Sequence, residues 1–411
     1  MNKKKFIPGK TKVQYAGAYY DNKEVDAMIK SIKKGWFGVG EKADKFEKEF
    51  AQFIGVKNAI VTNSGSSATL LAVAGFGFKP GLEIITPACN FPTSFNPIVQ
   101  LGLVPVLIDV DLGTYNIKAE LIEKAITKKT VALLIPHTLG NPCNMKKIMK
   151  IKKKYNLKLI EDNCDALGST YNNQKTGSFG DVATCSFYPA HHITIGEGGM
   201  VYLNSNSRER KIRSLRDWGR ACHCKWDQKN PHGACKNRFN FQLGDLPKGY
   251  DHRYTYTSIG YNLKPVEFQC AMGLEQLKKL PFFVKKRRQN FTKLYNYFKK
   301  FEKYFILPKW EKEAKPSWFS FPLTVKDKAP FSRRDISIYL EDHNIQTRPL
   351  FAGNIIRHPA YKNVKYRISG SLKNSDKILL DTFFIGVWPG MDDEQIGYIK
   401  KTVNKFFKQL Y

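Results

Sequence analysis

The sequence predicts an α/β protein, with a mostly parallel sheet in a large first unit and a smaller α+β unit behind it. Three observations carry that prediction. Between residues 58 and 203, short apolar runs alternate with stretches of helical periodicity, the β–α order of a sheet covered on both faces. After Pro265 the alternation gives way to two long helical segments, near 265–279 and 282–303. Beyond them, an apolar run at 319–325 lies between helical patterns near 332–342 and 393–407.

The elements follow in order. Val25, Met28, Ile29 and Ile32 form the i, i+3, i+4, i+7 stripe of a helix over 22–34. Ala43, Phe46, Phe50 and Phe53 repeat it over 41–54. Strands are predicted at 58–62, 83–86, 104–110, 131–136, 157–162, 182–187 and 200–203, with helices around Ala68–Ala74, 118–126 and 144–154 between them. From 204 to 260 regularity weakens to a short helix and a loop rich in Cys, Lys, Asn and Gly, and so long an irregular stretch is usually functional or disordered. The expected division is a large domain over 1–275, carrying the cysteine-rich loop 218–256, and a small domain over 276–411.

Bulk properties narrow the function. With 411 residues, 42% of them hydrophobic, the chain can bury a sizeable core. Its net charge of +31 is compatible with a nucleic-acid or membrane-surface ligand, but the lysines are scattered and no nucleic-acid-binding motif accompanies them. A positive field also suits an anionic small-molecule substrate. The basic start, MNKKKFIPGK, is followed by no apolar stretch, so a cytoplasmic protein is expected. The eight cysteines then read as thiols or metal ligands rather than disulfides.

Three stretches carry chemistry. Asn63-Ser64-Gly65-Ser66-Ser67-Ala68 joins a strand to a helix, where backbone N–H groups can converge on an anion; a plain tight turn has the same composition. Glu161-Asp162 ends a strand at the carboxyl edge of the sheet, where an acid can hold a heteroaromatic nitrogen protonated or simply cap a helix. In Ser186-Phe187-Tyr188-Pro189-Ala190-His191-His192, followed by Gly196-Glu197-Gly198-Gly199, adjacent histidine side chains diverge. One histidine working as a base suits this better than two on a metal.

That last stretch resembles the active-site segment of the DegT/DnrJ/EryC1/StrS sugar aminotransferases, in which Ser-Phe is followed by a lysine and then Gly-Glu-Gly-Gly. The resemblance covers nearly the whole chain and implies the type I fold of pyridoxal-phosphate-dependent transferases. His191 stands where the Schiff-base lysine would be, the mark of the family's dehydratase branch. The resemblance implies pyridoxamine phosphate held noncovalently, with Asp162 on the pyridinium nitrogen and Phe91 stacked on the ring. Gly65, Ser66 and Ser186 would hold its phosphate. Asp165 replaces the usual glutamine beside the cofactor hydroxyl. Gly260-Tyr261-Asn262 matches a segment whose asparagine reaches the neighbouring subunit's phosphate, which implies a homodimer. His191 is the expected base and His192 a supporting residue, while Lys175 in an ordinary turn is the alternative base.

Cys164 is separated from Cys222 by 57 residues, Cys222 from Cys224 by one, and Cys224 from Cys235 by ten. Four cysteines can hold zinc or an iron–sulfur cluster. The iron–sulfur dehydratases of the branch, of the CDP-4-keto-6-deoxyglucose 3-dehydratase type, carry Cys-x57-Cys-x-Cys-x7-Cys, so this loop is longer by three. The resemblance then implies a [2Fe–2S] cluster, a nucleotide-sugar substrate and a flavin iron–sulfur reductase as electron donor. The alternatives are a cluster-free dehydratase of the GDP-sugar type, an ordinary aminotransferase, or a basic nucleic-acid or membrane-surface protein on a degenerate scaffold. Cys89, Cys143, Cys185 and Cys270 are expected to be buried packing residues.

Overall fold

The computed structural model describes residues 5–222, 224, 237–240 and 242–410. Its main sheet has eight strands. In spatial order they are Asn58–Thr62, Gly199–Leu203, Val182–Ser186, Lys158–Asp162, Thr130–Pro136, Glu83–Pro87, Val104–Ile108 and Arg367–Ile368. Only Gly199–Leu203 runs against the rest, pairing antiparallel with both its neighbours. The central strands are buried along nearly their whole length, which explains their unbroken apolar runs. One face packs on helices Gly65–Ala74 and Asn206–Arg216, through Leu71, Ile160, Val201 and Ile212. The other face divides between a Phe46–Phe50–Phe187 cluster and one around Ile122, Ile148 and Leu159.

The smaller unit is an antiparallel sheet in the order Phe305–Ile306, Ser320–Val325, Thr382–Gly386, Arg348–Pro349. Its core joins Phe298, Phe321, Phe383, Ile399 and Phe406. Phe6 and Val13 belong to that same core, and Val13 bridges to Ile345, so the start of the chain packs with its end. The edge strand Arg367–Ile368 makes the reverse crossing and pairs with Val106–Leu107 of the main sheet.

Between residues 265 and 303 the structure differs from expectation. One helix, Glu267–Phe298, replaces the two segments and passes straight through Pro281. Proline removes one intrahelical hydrogen bond, and here packing of Leu280, Phe283 and Val284 on one core and Phe291, Leu294 and Phe298 on the other outweighs that loss. Helices Pro92–Gln100 and Lys373–Asp381 and strand Thr382–Gly386 were not legible in the sequence pattern. No helix of the described residues is long and apolar enough to cross a membrane.

The crossing strand is held electrostatically. Arg367 donates to both carboxylate oxygens of Glu83, at 2.9 and 2.8 Å, and holds that carboxyl down at about 2. A depressed acid stabilises the fold above its unfolded value of 4.5, and the contribution disappears as pH falls through the folded value. Arg367→Met should therefore lower the melting temperature at pH 7, and the gap to the parent chain should close between about pH 4.5 and 2. A gap of constant size across that range, measured by thermal unfolding followed by circular dichroism, would contradict this account of the strand.

Candidate active site

A cavity of about 430 Å³ opens at the carboxyl edge of the main sheet, between that sheet and the smaller unit. The strand ends, the Ser64–Gly65 turn, the His191 loop and the small-unit residues Phe319, Arg348 and Phe384 all line it. Gly65, Ser66, Phe91, Asp162, Asp165, Ser186 and His191 converge here as the sequence predicts, and so does Cys164.

The anion cup is built by close approach. A Cβ on Gly65 would lie 2.5 Å from the Ser186 Cβ and 3.1 Å from its Cα, so only glycine lets the helix start against that strand end. Ser64 caps the ten-residue helix by accepting from Ser67 N at 3.1 Å. The free N–H groups of the first turn then favour an anion.

Asp162 is buried at its strand end and fixed from both sides. One oxygen accepts from Cys164 N at 3.1 Å and the other from the Ser94 hydroxyl. Its neighbour Glu161 points the other way and is wholly structural. Glu161 accepts from the backbones of Gly177, Phe179 and Gly180 and pairs with His137 Nε2 at 3.0 Å. His137 Nδ1 accepts from Cys143 N, so its proton sits on Nε2 and is donated to Glu161.

His191 and Asp165 face one another, Nδ1 to Oδ1 at 3.5 Å. Burial and the nearby Asp162 carboxylate push Asp165 up to about 8, against the Leu139 N–H that it accepts at 3.3 Å. Burial and the cation of Arg287 push His191 down to about 3. At neutral pH the pair is therefore a carboxylic acid beside a neutral imidazole rather than an ion pair. The imidazole packs between Phe319 and Tyr188, with centroids at 5.3 and 6.5 Å. Leu139 delivers its N–H from a positive φ of 54°, an uncommon conformation for a bulky side chain, and its carbonyl accepts from Phe319 N.

His192 turns away from the cavity, with Nε2 2.7 Å from the Ser317 carbonyl. Lys175 is not near the site; its ammonium donates to the Phe53 carbonyl and lies over the Phe53 ring. Asn262 also lies outside the cavity, bridged to Asp217 and accepting from Lys264 at 2.7 Å. Cys222 and Cys224 are described but do not line the cavity, and Cys235 lies outside the described residues. Among the described residues no three His, Cys, Asp or Glu side chains converge as metal ligands. Cys89, Cys143, Cys185 and Cys270 are buried.

Sequence reasoning missed His137 and Thr138, although both follow directly on a strand and that position was a usable signal. It also missed Arg287, hidden in the run Lys285-Lys286-Arg287-Arg288, and Arg348 and Phe319 of the smaller unit. Thr138 carries a buried hydroxyl without a partner in the cavity wall. That orphan group, the glycine-only cup and the fixed Asp162 fit a phosphorylated heteroaromatic ring.

These features together define a class: enzymes on the type I pyridoxal-phosphate fold whose cavity wall, among the described residues, contains no lysine to bind the cofactor covalently. The chain belongs to the DegT/DnrJ/EryC1/StrS aminotransferase family, whose sequence model matches residues 18–404. It is 46% identical to the lipopolysaccharide biosynthesis protein RfbH of Salmonella typhimurium, covering 99% of this chain and 94% of that one. It is 45% identical to the dTDP-4-dehydro-2,6-dideoxy-D-glucose 3-dehydratase of Saccharopolyspora spinosa, over 98% and 88%. The solved Escherichia coli GDP-4-keto-6-deoxy-D-mannose-3-dehydratase with bound hydrated PLP superposes with a TM-score of 0.86 at 28% identity, over 95% and 99%.

The cup is open to a direct check. Gly65→Ala should weaken pyridoxal phosphate binding at least tenfold, read by absorbance titration, while the far-ultraviolet circular dichroism stays that of the parent. Parental affinity in that variant would mean that the phosphate sits elsewhere.

Proposed function

We propose that this chain removes the C3 hydroxyl of a nucleotide-linked 4-keto-6-deoxyhexose, with CDP-4-keto-6-deoxy-D-glucose as the expected substrate. The single observation that carries this reading is His191 in the lysine's place, neutral and facing Asp165 inside the cavity. Gly65, Ser66 and Ser186 would hold the phosphate of pyridoxamine phosphate, Phe91 its ring face and Asp162 its ring nitrogen. When bound, that cofactor supplies the amine that condenses with the C4 ketone, and an electron sink.

The protein's own work is proton handling and placement. His191 would be the base for the proton on the carbon that bears the cofactor's amine; burial and Arg287 hold its basicity down, so the negative charge of the bound cofactor would have to raise it toward the working pH. Once charged, it would return that proton to the departing hydroxyl, which leaves as water. Histidine is a poor Schiff-base partner, so its presence favours elimination over transamination. Phe319 and Tyr188 flank the ring.

A [2Fe–2S] cluster on Cys164, Cys222, Cys224 and Cys235, served by a flavin iron–sulfur reductase, is the further part of the proposal. Its support is the cysteine spacing. The remaining parts are a homodimer in which Asn262 reaches the partner's cofactor phosphate, a cytoplasmic location, and a place in 3,6-dideoxyhexose and O-antigen synthesis. The name of the Saccharopolyspora spinosa relative favours a dTDP sugar as the second reading of the substrate. A cluster-free, glutamate-coupled dehydratase is the second reading of the chemistry, supported by the likeness to the GDP-sugar enzyme.

Two measurements test this. His191→Asn should reduce dehydration at least a thousandfold, within the range that a general base contributes, while cofactor affinity stays within about threefold. Surviving activity would remove His191 from the role of base. Anaerobically purified protein should carry about two irons and two sulfides per chain, and Cys222→Ser should lose them with the fold intact. Iron-free protein after reconstitution would favour the glutamate-coupled reading.

A further inference from the structure

The smaller unit carries a groove of about 1040 Å³ that shares no lining residue with the active-site cavity. It runs between the turn after helix Glu267–Phe298 and helix Asp393–Gln409. Lys300 and Lys303 stand on the first rim, and Lys400, Lys401, Lys405 and Lys408 on the second. Among the described residues that line it there is no aspartate, glutamate or arginine. Glu302, between the first two lysines in sequence, is not a lining residue, and Asp393 pairs with Lys293 outside the groove.

Helix stability does not account for this gathering of charge. Lys401 and Lys405 are four residues apart on one helix, an arrangement that repels. The helix dipole favours a cation in the last turn, which covers Lys408 but not Lys400 or Lys401. Lys300 and Lys400, one from each rim, lie 4.2 and 5.7 Å from the ring centroid of Tyr297. The Tyr297 hydroxyl bonds to the Lys400 carbonyl at 2.7 Å, so the two rims are tied together. Gly397 also lines the groove, and a Cβ there would meet no atom within 4 Å. No close approach demands that glycine, although glycine weakens a helix interior. Its missing side chain leaves the groove open.

The floor is aromatic: Phe407 stacks on Phe301 at 4.1 Å and on Tyr304 at 5.2 Å. Those ring faces are turned to one another, which leaves little for a nucleic-acid base to stack on. The absence of arginine from the described lining also removes the fork that suits phosphate best. A bilayer is flat and would meet the rims but not the floor. A second copy of this chain, with net charge +31, would bring more charge of the same sign. We propose that the groove binds an acidic amphipathic segment of a partner protein. Its carboxylates would lie between the two lysine rims and its apolar side chains on the aromatic floor, a helix-in-groove contact. This surface is independent of the reading of the active site.

The test uses the whole chain and fluorescence anisotropy. The probe is a short labelled peptide with leucines at i, i+3, i+4 and i+7 and glutamates elsewhere. The parent protein should bind it, and added salt should weaken the complex. Lys401→Glu with Lys405→Glu should reduce affinity at least tenfold, while the control pair Lys150→Glu with Lys153→Glu, on another exposed lysine run, should stay within about twofold. Replacing the peptide's leucines with serine should also cost at least tenfold. Gly397→Leu should block the peptide yet raise the melting temperature, since leucine favours the helix and meets no obstacle there. If the parent does not bind the peptide, or if both lysine pairs matter equally, the groove is not the docking site and the proposal fails. If the serine peptide binds as well as the leucine peptide, the contact is diffuse charge attraction and the proposal fails too. Tighter binding of phosphatidylglycerol vesicles or of a single-stranded oligonucleotide, lost in the Lys401→Glu and Lys405→Glu variant, would assign the surface to a different class of partner and overturn it.

Discussion

The site depends on one buried cation. Arg287 is fully buried and, among the described residues, its guanidinium meets no carboxylate at ion-pair distance; it donates instead to the carbonyls of Trp318, Phe319, Ala190 and His191, at 2.9–3.3 Å. Taking a charge out of water is costly: the four carbonyls satisfy Nη1 and Nη2 while Nε is left without a partner, and burial holds the pKa down at about 9. What the arrangement secures is placement. Four carbonyls from two different loops are pinned to one point on the long helix, so the His191 loop and the Phe319 strand end take up a fixed relation. The same positive charge also helps to keep His191 uncharged. A residue outside the cavity wall thereby fixes where His191 stands and adds to the burial that keeps it uncharged.

Around that point the site is a set of opposed constraints. Asp162 is surrounded by donors and held in place by Ser94 and Cys164. Asp165, three residues on, has only the Leu139 N–H and lies in the field of Asp162, so burial drives it toward the neutral acid. Two acids three residues apart thus sit in different surroundings, one fixed by two donors and the other driven toward the neutral acid by burial. Leu139 is strained at positive φ because its N–H and its carbonyl must serve Asp165 and Phe319 together.

Much of this was legible in the sequence, for identifiable reasons. The sheet could be read because buried parallel strands are apolar throughout, and Gly65, Asp162, Ser186 and His191 could be placed because they sit at strand ends in recognisable local patterns. Helix Pro92–Gln100 was not read, since Pro97 within it interrupts the usual signal. The break expected near residue 280 failed for the opposite reason: Pro281 suggested a boundary, and packing on two cores overrode it. Arg287 and Arg348 were hidden because a buried arginine and a cavity arginine look like any other basic residue in a chain of net charge +31. Only the three-dimensional neighbourhood separates those two from the solvated majority.

The unbroken helix Glu267–Phe298 has a mechanical meaning. It starts beside the Phe46 cluster and finishes inside the core of the smaller unit. A rod of 32 residues rooted in both bodies ties their movements together, and its weakest point against bending is Pro281 near its middle, where one intrahelical hydrogen bond is missing. Relative movement of the two bodies would bend the helix there rather than evenly along its length. The His191 loop, tied to the rod through Arg287, would turn with it.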